Sequence, residues 1–237
     1  MDHSLSIDSQ PDDASEGLMM TVHPGKKATN QIWFSRILQS VDVIVGLRYS
    51  IERDGLEYKR DFQNFRPVDN TSAPAYLYFD RQTSTIPDDR GDAFKIYDGL
   101  LVVSQKLRDV LSSFDLGQTK LIEVPICLSD AKTVSSYPPH YILHVAETKE
   151  CFVPEASEKV ERQVWWGETE PRPDAPWIAD PSSDVLAVRS SAAVGVDLWA
   201  DPTLKERIFL SDRLKHAIDQ AGVTQKGLEP VPATILD

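Results

Sequence analysis

One pattern of hydrophobic and polar positions occurs twice in this chain. The first copy begins at Leu101 and the second at Ile208, and they align without a gap on Ser104 and Ser211. In each copy a short apolar run, typical of a buried strand, precedes a serine and then apolar residues at helical spacing. The pattern predicts a strand, a helix, a polar turn and a second strand in both places. Identical positions are Ser104/Ser211, Leu107/Leu214, Gln118/Gln225, Leu121/Leu228, Val124/Val231 and Pro125/Pro232.

The two serines are the predicted N-caps of the two helices. A serine hydroxyl at this position accepts a hydrogen bond from a free amide of the first helical turn. If capping is the whole role, Ser104 and Ser211 should tolerate Asp, Asn or Thr at a modest cost in stability. The predicted buried faces are Leu107, Val110, Leu111 and Phe114 in the first helix, and Leu214, Ala217, Ile218 and Ala221 in the second.

The remaining apolar runs are short and are separated by turn residues and by many of the 16 prolines. This favours short strands over long helices. Asp54 and Gly55 have the sequence of a hairpin turn, and residues 32–38 fit either a helical turn or a strand. We predict an α+β fold with mostly antiparallel short strands, a few short helices and two similar strand–helix–strand units. Further strands are predicted at 41–45, 47–51, 75–79, 141–145 and 185–188, and with less regular spacing at 194–200.

The sequence divides into a leader and one domain. Residues 1–28 are rich in Ser, Asp, Gly and Pro and lack hydrophobic periodicity, which is typical of disorder. Residues 29–237 are predicted to form a single domain, because each copy of the repeat alone offers too little core.

The formal net charge of −12 restricts the partners that the chain can bind. Such a charge disfavours nucleic acid and anionic membranes and favours a basic partner. The leader lacks the features of a signal peptide, and no apolar run approaches the length of a membrane span. Cys127 and Cys151 form no disulfide framework and are predicted to be reduced core residues of a cytoplasmic protein.

Candidate catalytic and metal-binding residues are few. His140 and His144 share one face of a predicted strand, but at about 3.3 Å per residue they lie too far apart to hold one metal ion. The chain has no G-x-S-x-G elbow and no glycine-rich phosphate loop. We therefore predict no metal, no cofactor and no catalytic residue. The alternative is a hydrolase with an unfamiliar site around His140, His144 and Asp130.

Residues 147–184 combine acidic and aromatic residues. They contain ten acidic and four basic residues, a net charge of −6, and three of the five tryptophans. Aromatic anchors surrounded by charge are typical of protein interfaces; the alternative is a surface excursion whose tryptophans fold back onto the core. The candidate interface residues are Glu155, Glu158, Glu161, Trp165, Trp166, Glu168 and Glu170.

The repeat and its surroundings resemble a known family. The runs DGLLVVSQKLRDVLSSFDLGQTKLIEVPI (98–126) and VGVDLWADPTLKERIFLSDRLKHAIDQAGVTQKGLEPV (194–231) are similar to immunity family eleven, the bacterial immunity proteins of polymorphic toxin systems. The resemblance covers about residues 75–232, and the chain departs from the pattern at Gln225–Lys226 and at Leu228. Matching positions are Asp197, Trp199, Phe209, Ser211, Leu214, Gly222, Gly227 and Pro230.

The resemblance implies an α+β protein that binds a cognate toxin and has no assigned catalytic residues. We expect it to neutralise the toxin stoichiometrically, by covering the toxin's active site with an acidic and aromatic face. The net charge suits a toxin with a basic face. A third reading, beside immunity and hydrolysis, is an adaptor that loads a toxin onto a secretion machine.

Overall fold

The computed structural model describes residues 30–50, 55–82, 84–87, 90–224, 226 and 228–237. These residues form an α+β fold with three α-helices and sixteen mostly antiparallel strands. No helix within them is long and apolar enough to cross a membrane. The helices are α1 (Gly55–Gln63), α2 (Gln105–Leu111) and α3 (Asp212–Gln220). The strands are β1 (Ile32–Ser35), β2 (Ile44–Val45), β3 (Leu47–Tyr49), β4 (Leu77–Phe79), β5 (Ala93–Ile96), β6 (Leu101–Ser104), β7 (Lys120–Val124), β8 (Ile126–Cys127), β9 (His140–His144), β10 (Val160–Arg162), β11 (Trp177–Ala179), β12 (Ala187–Arg189), β13 (Leu198–Ala200), β14 (Ile208–Ser211), β15 (Val231–Pro232) and β16 (Thr234–Leu236).

The two largest sheets have the same design. One has the strand order β2-β5-β6-β9-β7 and the other the order β13-β14-β1-β15. In each sheet an antiparallel hairpin, β5–β6 or β13–β14, leads directly into the helix that follows it. The chain then returns as an outer strand, β7 or β15, and a central strand lies between hairpin and return. The repeat seen in the sequence is therefore part of two equivalent sheets.

The equivalence extends well beyond the repeated sequence. β2 runs parallel to β5, and Thr148 makes the matching parallel bridge to Ala200 of β13. β8 pairs in parallel with β4, and β16 pairs in parallel with β12 in the same way. β3 is antiparallel to β4, and Phe152 makes the corresponding antiparallel bridge to Val188 of β12. The described chain thus consists of two similar units, roughly residues 43–144 and 147–236.

The N-terminal strand completes the second unit. In the first unit the central strand is β9, which follows β8 in the chain, whereas no strand follows β16 among the described residues. β1 takes that central position instead, with Phe34 paired to Phe209 on one side and to Val231 on the other. The second unit is therefore closed by a strand from the opposite end of the sequence.

A pair of aspartates links the two units. The carboxylate of Asp92, just before β5, accepts a hydrogen bond from the Ser104 hydroxyl at 2.5 Å and from the Thr224 amide at 2.7 Å. Asp197, just before β13, likewise accepts from the Ser211 hydroxyl and from the Asp115 amide. Thr224 lies just after α3 and Asp115 just after α2. Each aspartate therefore holds the cap of its own helix and the chain that leaves the helix of the other unit.

The capping serines are donors as well as acceptors. Ser104 Oγ accepts from the Leu107 amide at 3.3 Å, and Ser211 Oγ accepts from the Leu214 amide at 3.2 Å, as expected for N-caps. Each hydroxyl also donates to its aspartate. An Asp at either position would place two carboxylates in contact and would have no proton to donate. We therefore expect Asp at either position to cost more stability than capping alone predicts.

Equivalent aromatic residues anchor the two helices. Tyr141 of β9 donates from its hydroxyl to Gln105 at 2.6 Å, and Arg108 lies over its ring. In the second unit Trp33 of β1 donates from its indole to Asp212 at 3.0 Å, and Lys215 lies over its ring. The partners occupy the same helical positions in α2 and α3, although the central strands come from unrelated places in the sequence.

The hydrophobic core is shared between the units. The larger cluster of buried residues includes Leu107 and Leu111 of α2 together with Leu214 and Ile218 of α3. A second cluster surrounds Trp199 and contains residues of the second unit and of β1. A shared cluster is what a single domain requires, and the extent of the domain over 29–237 stays a prediction. The predicted leader, 1–28, lies outside the described residues. Both cysteines are free and buried.

The structure corrects one local prediction, decides between two open alternatives and adds one strand that was not predicted. The Asp54–Gly55 turn is not followed by a strand, because Gly55–Gln63 is helical and buries Tyr58 and Phe62; Asp54 itself lies outside the described residues. Residues 32–38, which fitted either a helical turn or a strand, begin with a strand, β1. β5 was not predicted, because its four buried residues include Lys95, which interrupts the apolar run and donates to the Leu38 carbonyl at 2.8 Å.

The aspartate links give a stability prediction. Asp197→Ala should lower the free energy of unfolding by about 2–3 kcal/mol, because it leaves the Ser211 hydroxyl and the Asp115 amide without their charged acceptor. Ser211→Ala should cost about 1 kcal/mol. Denaturant titration measures both, with Ser113→Ala, an exposed serine after α2, as the control. A loss for Asp197→Ala no larger than the control's would contradict the assigned role.

Candidate functional site

The acidic and aromatic segment contains a two-stranded arm. β10 and β11 pair in antiparallel register, with Glu161 opposite Ile178 and Arg162 opposite Trp177. We call residues 160–179 the arm and residues 163–176 its tip. In the second unit the arm lies between the Phe152 bridge and β12, the position that α1 and its flanking loops occupy in the first unit. The arm and α1 are therefore equivalent excursions with different structures.

Backbone hydrogen bonds attach the arm to the β13–β14 connection. The Trp177 amide donates to the Thr203 carbonyl at 2.7 Å, and the Lys205 amide donates to the Trp177 carbonyl at 2.9 Å. The guanidinium of Arg207 donates to the carbonyls of Ala179 and Asp180 at 3.3 and 3.1 Å. Arg207 is fully buried, and this burial lowers its pKa to about 10. The base of the arm is thus held by main-chain groups and one buried cation.

The three tryptophans of the segment have different environments. Trp177 is half-buried against the second core cluster, with the Arg162 guanidinium 4.6 Å from its ring centre. Trp165 is 43% exposed and Trp166 is fully exposed, next to Val164 at 47%. The reading in which tryptophans fold back onto the core therefore describes Trp177, and the exposed apolar surface expected of an interface is present at Trp165 and Trp166.

A tight turn presents Trp166 to solvent. The Glu168 amide donates to the Trp165 carbonyl at 3.0 Å, which closes a four-residue turn. Gly167 occupies the third position with φ of +86°, the left-handed conformation that a type II turn requires there. Trp166 at the second position points away from the body of the protein, so its whole indole is free to contact another molecule.

The predicted acidic residues do not form one cluster. Glu155 and Glu161 line a groove of about 610 Å³ along β11, together with Asp180. Glu158 and Glu170 are exposed. Glu168 differs, since it is half-buried and pairs with Arg172 at 2.5 Å, which fixes the tip. Glu155 and Glu161 therefore share one groove, while Trp165 lines two others.

Trp165 lies between two grooves that sequence reasoning missed. One, of about 500 Å³, lies between the arm and the β13–β14 connection and includes Asn64, Arg162, Trp177 and Lys205. The other, of about 320 Å³, includes Phe62, Phe65, Gly99 and Lys205. The grooves lie where the α1 region, the arm and the turns of both hairpins meet. No local pattern in the sequence indicates that α1 lies beside the arm, because the two segments are far apart in the chain.

The residues of the alternative hydrolase site are held in hydrogen bonds with neighbouring groups of the fold. His140 and His144 are buried on β9. His140 contacts the Pro138 carbonyl and Arg90, and His144 contacts Tyr58 and the Arg66 carbonyl. The carboxylate of Asp130 accepts from the Lys132 and Thr133 amides and from the Thr133 hydroxyl, and these bonds lower its pKa to about 2. Within the described residues, no group of three or more His, Cys, Asp or Glu side chains is placed to hold a metal ion.

These features define a class of protein: a duplicated α+β scaffold that carries an exposed aromatic excursion. A family model for an immunity protein family, Imm11, matches residues 19–233, nearly the whole chain. The chain belongs to this immunity protein family. The match includes the first unit, the arm and the second unit up to the residue before β16, and it is longer than the resemblance over residues 75–232 indicated. No curated protein matches the chain.

The buried histidines predict a pH dependence of stability. Burial lowers the pKa of both His140 and His144 below the ordinary value of 6.5. As the pH falls below 6.5, the unfolded chain takes up protons on these residues while the folded chain does not. The free energy of unfolding should therefore decrease from pH 6.5 downward until the folded histidines protonate too.

Urea titrations at about pH 7.5 and 5.5 measure this loss. His144→Gln should reduce the difference between the two pH values, because it removes one of the two buried histidines. An equal loss in wild type and His144→Gln would show that this histidine is not responsible.

Proposed function

We propose that this chain binds a cognate bacterial toxin through the arm and neutralises it by stoichiometric occlusion of the toxin's active site. Membership of the immunity protein family supports a toxin-neutralising role. The observation that carries the choice of face is the fully exposed Trp166, flanked by Val164 and Trp165 on a closed turn. As part of the same proposal, the protein acts in the cytoplasm of the producing cell.

The energetics of such a tip favour protein binding. Exposure of a tryptophan side chain to water costs free energy. Burying about 150–250 Å² of aromatic surface in a partner's pocket recovers it. Tryptophan is among the residues most enriched at the energetic centres of interfaces. Because the turn is closed before binding, little conformational entropy is lost when Trp166 is covered.

The acidic residues have a separate role in the proposal. Glu155, Glu158, Glu161 and Glu170 are exposed, so each gains little from a single ion pair in water. Together they produce a negative potential around the arm, which accelerates encounter with a basic face. The tip residues would thus determine the lifetime of the complex, and the acids the rate at which it forms.

The alternatives receive less support. The histidines of the hydrolase reading are enclosed by packing, and Asp130 is held by its own turn. An adaptor would use the same exposed surface without protecting the cell. Growth of cells that co-express the toxin separates the two, since an adaptor does not restore growth.

Trp166→Ala should weaken binding to the product of the neighbouring toxin gene by about 100-fold, which corresponds to about 2–3 kcal/mol for a central aromatic anchor. Isothermal titration calorimetry measures the dissociation constant, and rescue of growth should be reduced in parallel. Val134→Ala removes another exposed apolar side chain, at 64% exposure, and is the control. Equal affinities for wild type and Trp166→Ala would exclude the tip as the anchor.

Charge reversal tests the acidic residues independently. Glu158→Lys combined with Glu161→Lys should slow association several-fold at low salt, with the effect shrinking at high salt and dissociation little changed. Glu123→Lys combined with Asp109→Lys changes the net charge by the same amount at exposed positions outside the arm and is the control. Stopped-flow association rates that match the control's would remove these residues from the binding face.

A further inference from the structure

The two grooves beside Trp165 are built from the parts in which the units differ. Strands, helices, caps and helix anchors have counterparts in both units, whereas α1 and the arm occupy equivalent positions with unrelated structures. Phe62 and Asn64 come from the α1 region, and Arg162 and Trp165 come from the arm. Gly99 and Lys205 come from the two equivalent hairpin turns. The grooves therefore lie where both units and both excursions converge.

Two half-buried cations line the larger groove without an acidic partner. Arg162 donates to the Ala175 carbonyl at 2.7 Å, and Lys205 donates to the side-chain oxygen of Asn64 at 3.1 Å. Among the described residues, neither side chain forms an ion pair with a carboxylate; their partners are a carbonyl, an amide oxygen and an indole ring. Asp174 also lines the groove, but among the described residues it forms no ion pair with Arg162 or Lys205.

This local charge is opposite to that of the surrounding chain. The protein carries −12 and residues 147–184 carry −6, yet this groove is lined by two cations and one acid, together with the indoles of Trp165 and Trp177. A cation that is partly removed from water and lacks an anion is in an unfavourable environment. A carboxylate that entered between Arg162 and Lys205 would form charge-assisted hydrogen bonds with both, and the indoles would pack against the atoms that carry it.

We propose that the larger groove receives a carboxylate side chain from a loop of the toxin, with Arg162 and Lys205 as its ligands. This inference rests on the proposed function and adds the partner's chemistry at a second point of contact. The toxin then presents a basic face to the outer acids of the arm and one acidic residue to the inner groove. Glutamate or aspartate on an extended loop fits a groove of about 500 Å³ that opens beside the tip.

The direction in which affinity changes when the two cations are removed tests this inference. Arg162→Gln with Lys205→Met makes the chain more acidic, so long-range attraction to a basic toxin should increase. If the groove binds a carboxylate, affinity should instead fall by at least about tenfold, mainly through faster dissociation. Lys132→Met with Arg189→Gln removes the same charge from exposed positions outside the groove and should leave affinity equal or slightly higher.

Surface plasmon resonance with the immobilised toxin measures both rates for wild type and the two double variants. Lys205→Gln alone should give an intermediate loss of affinity. Because the Lys205 side chain donates to Asn64 and not to the arm, this variant controls for disruption of the arm by the change at Arg162. If the groove variants bind as tightly as the charge-matched control, the carboxylate contact is overturned while the proposed function stands. If wild type does not bind the toxin, the proposed function fails, and this inference with it.

Discussion

The rest of this structure depends on two carboxylates that are each shared between the units. Asp197 is fully buried, and a buried carboxylate is tolerated only where hydrogen bonds replace its hydration. Its donors are the Ser211 hydroxyl, the Asp115 amide and the guanidinium of Arg213. Asp92 has the matching serine and amide contacts. Because each aspartate joins one unit's hairpin and helix start to the other unit's helix end, neither helix can be positioned without both units.

This reciprocal arrangement explains why serine stands at both caps. The hydroxyl accepts from a helix amide and donates to the aspartate at once, and an Asp cap can only accept. Lys106 and Arg213, at matching positions of α2 and α3, make the same kind of contact to the other unit. Lys106 donates to the Gly222 carbonyl after α3, and Arg213 lies near Asp115 after α2. β1, which completes the second unit and is the first strand of the described chain, pairs with β15 near its end.

The sequence allowed the scaffold to be predicted better than the site, for physical reasons. The helices and their caps follow from the spacing of Leu107, Leu111, Leu214 and Ile218, a local signal that packing reinforces. The equivalence of the two aspartates was missed because the second hairpin is longer than the first, so Asp92 and Asp197 do not align when Ser104 and Ser211 do. The exposure of Trp166 against the burial of Trp177 depends on the register of β10 and β11 and on the Gly167 turn. The groove depends on contacts between α1 and the arm, which no local pattern encodes.

The way in which the arm is attached separates the scaffold from the partner-specific surface. Its base is held by the carbonyls and amides of residues 177 and 203–205 and by Arg207, which also binds main-chain oxygens. These contacts do not depend on which side chains the tip carries. If the tip binds the toxin as we propose, its residues can change with the toxin at little cost in stability, provided that the turn at Gly167 and the Glu168–Arg172 pair persist or are replaced by an equivalent closure. A duplicated core with one such excursion on each unit gives an immunity protein two places to vary, and in our proposal the groove between them is where both contact the same partner.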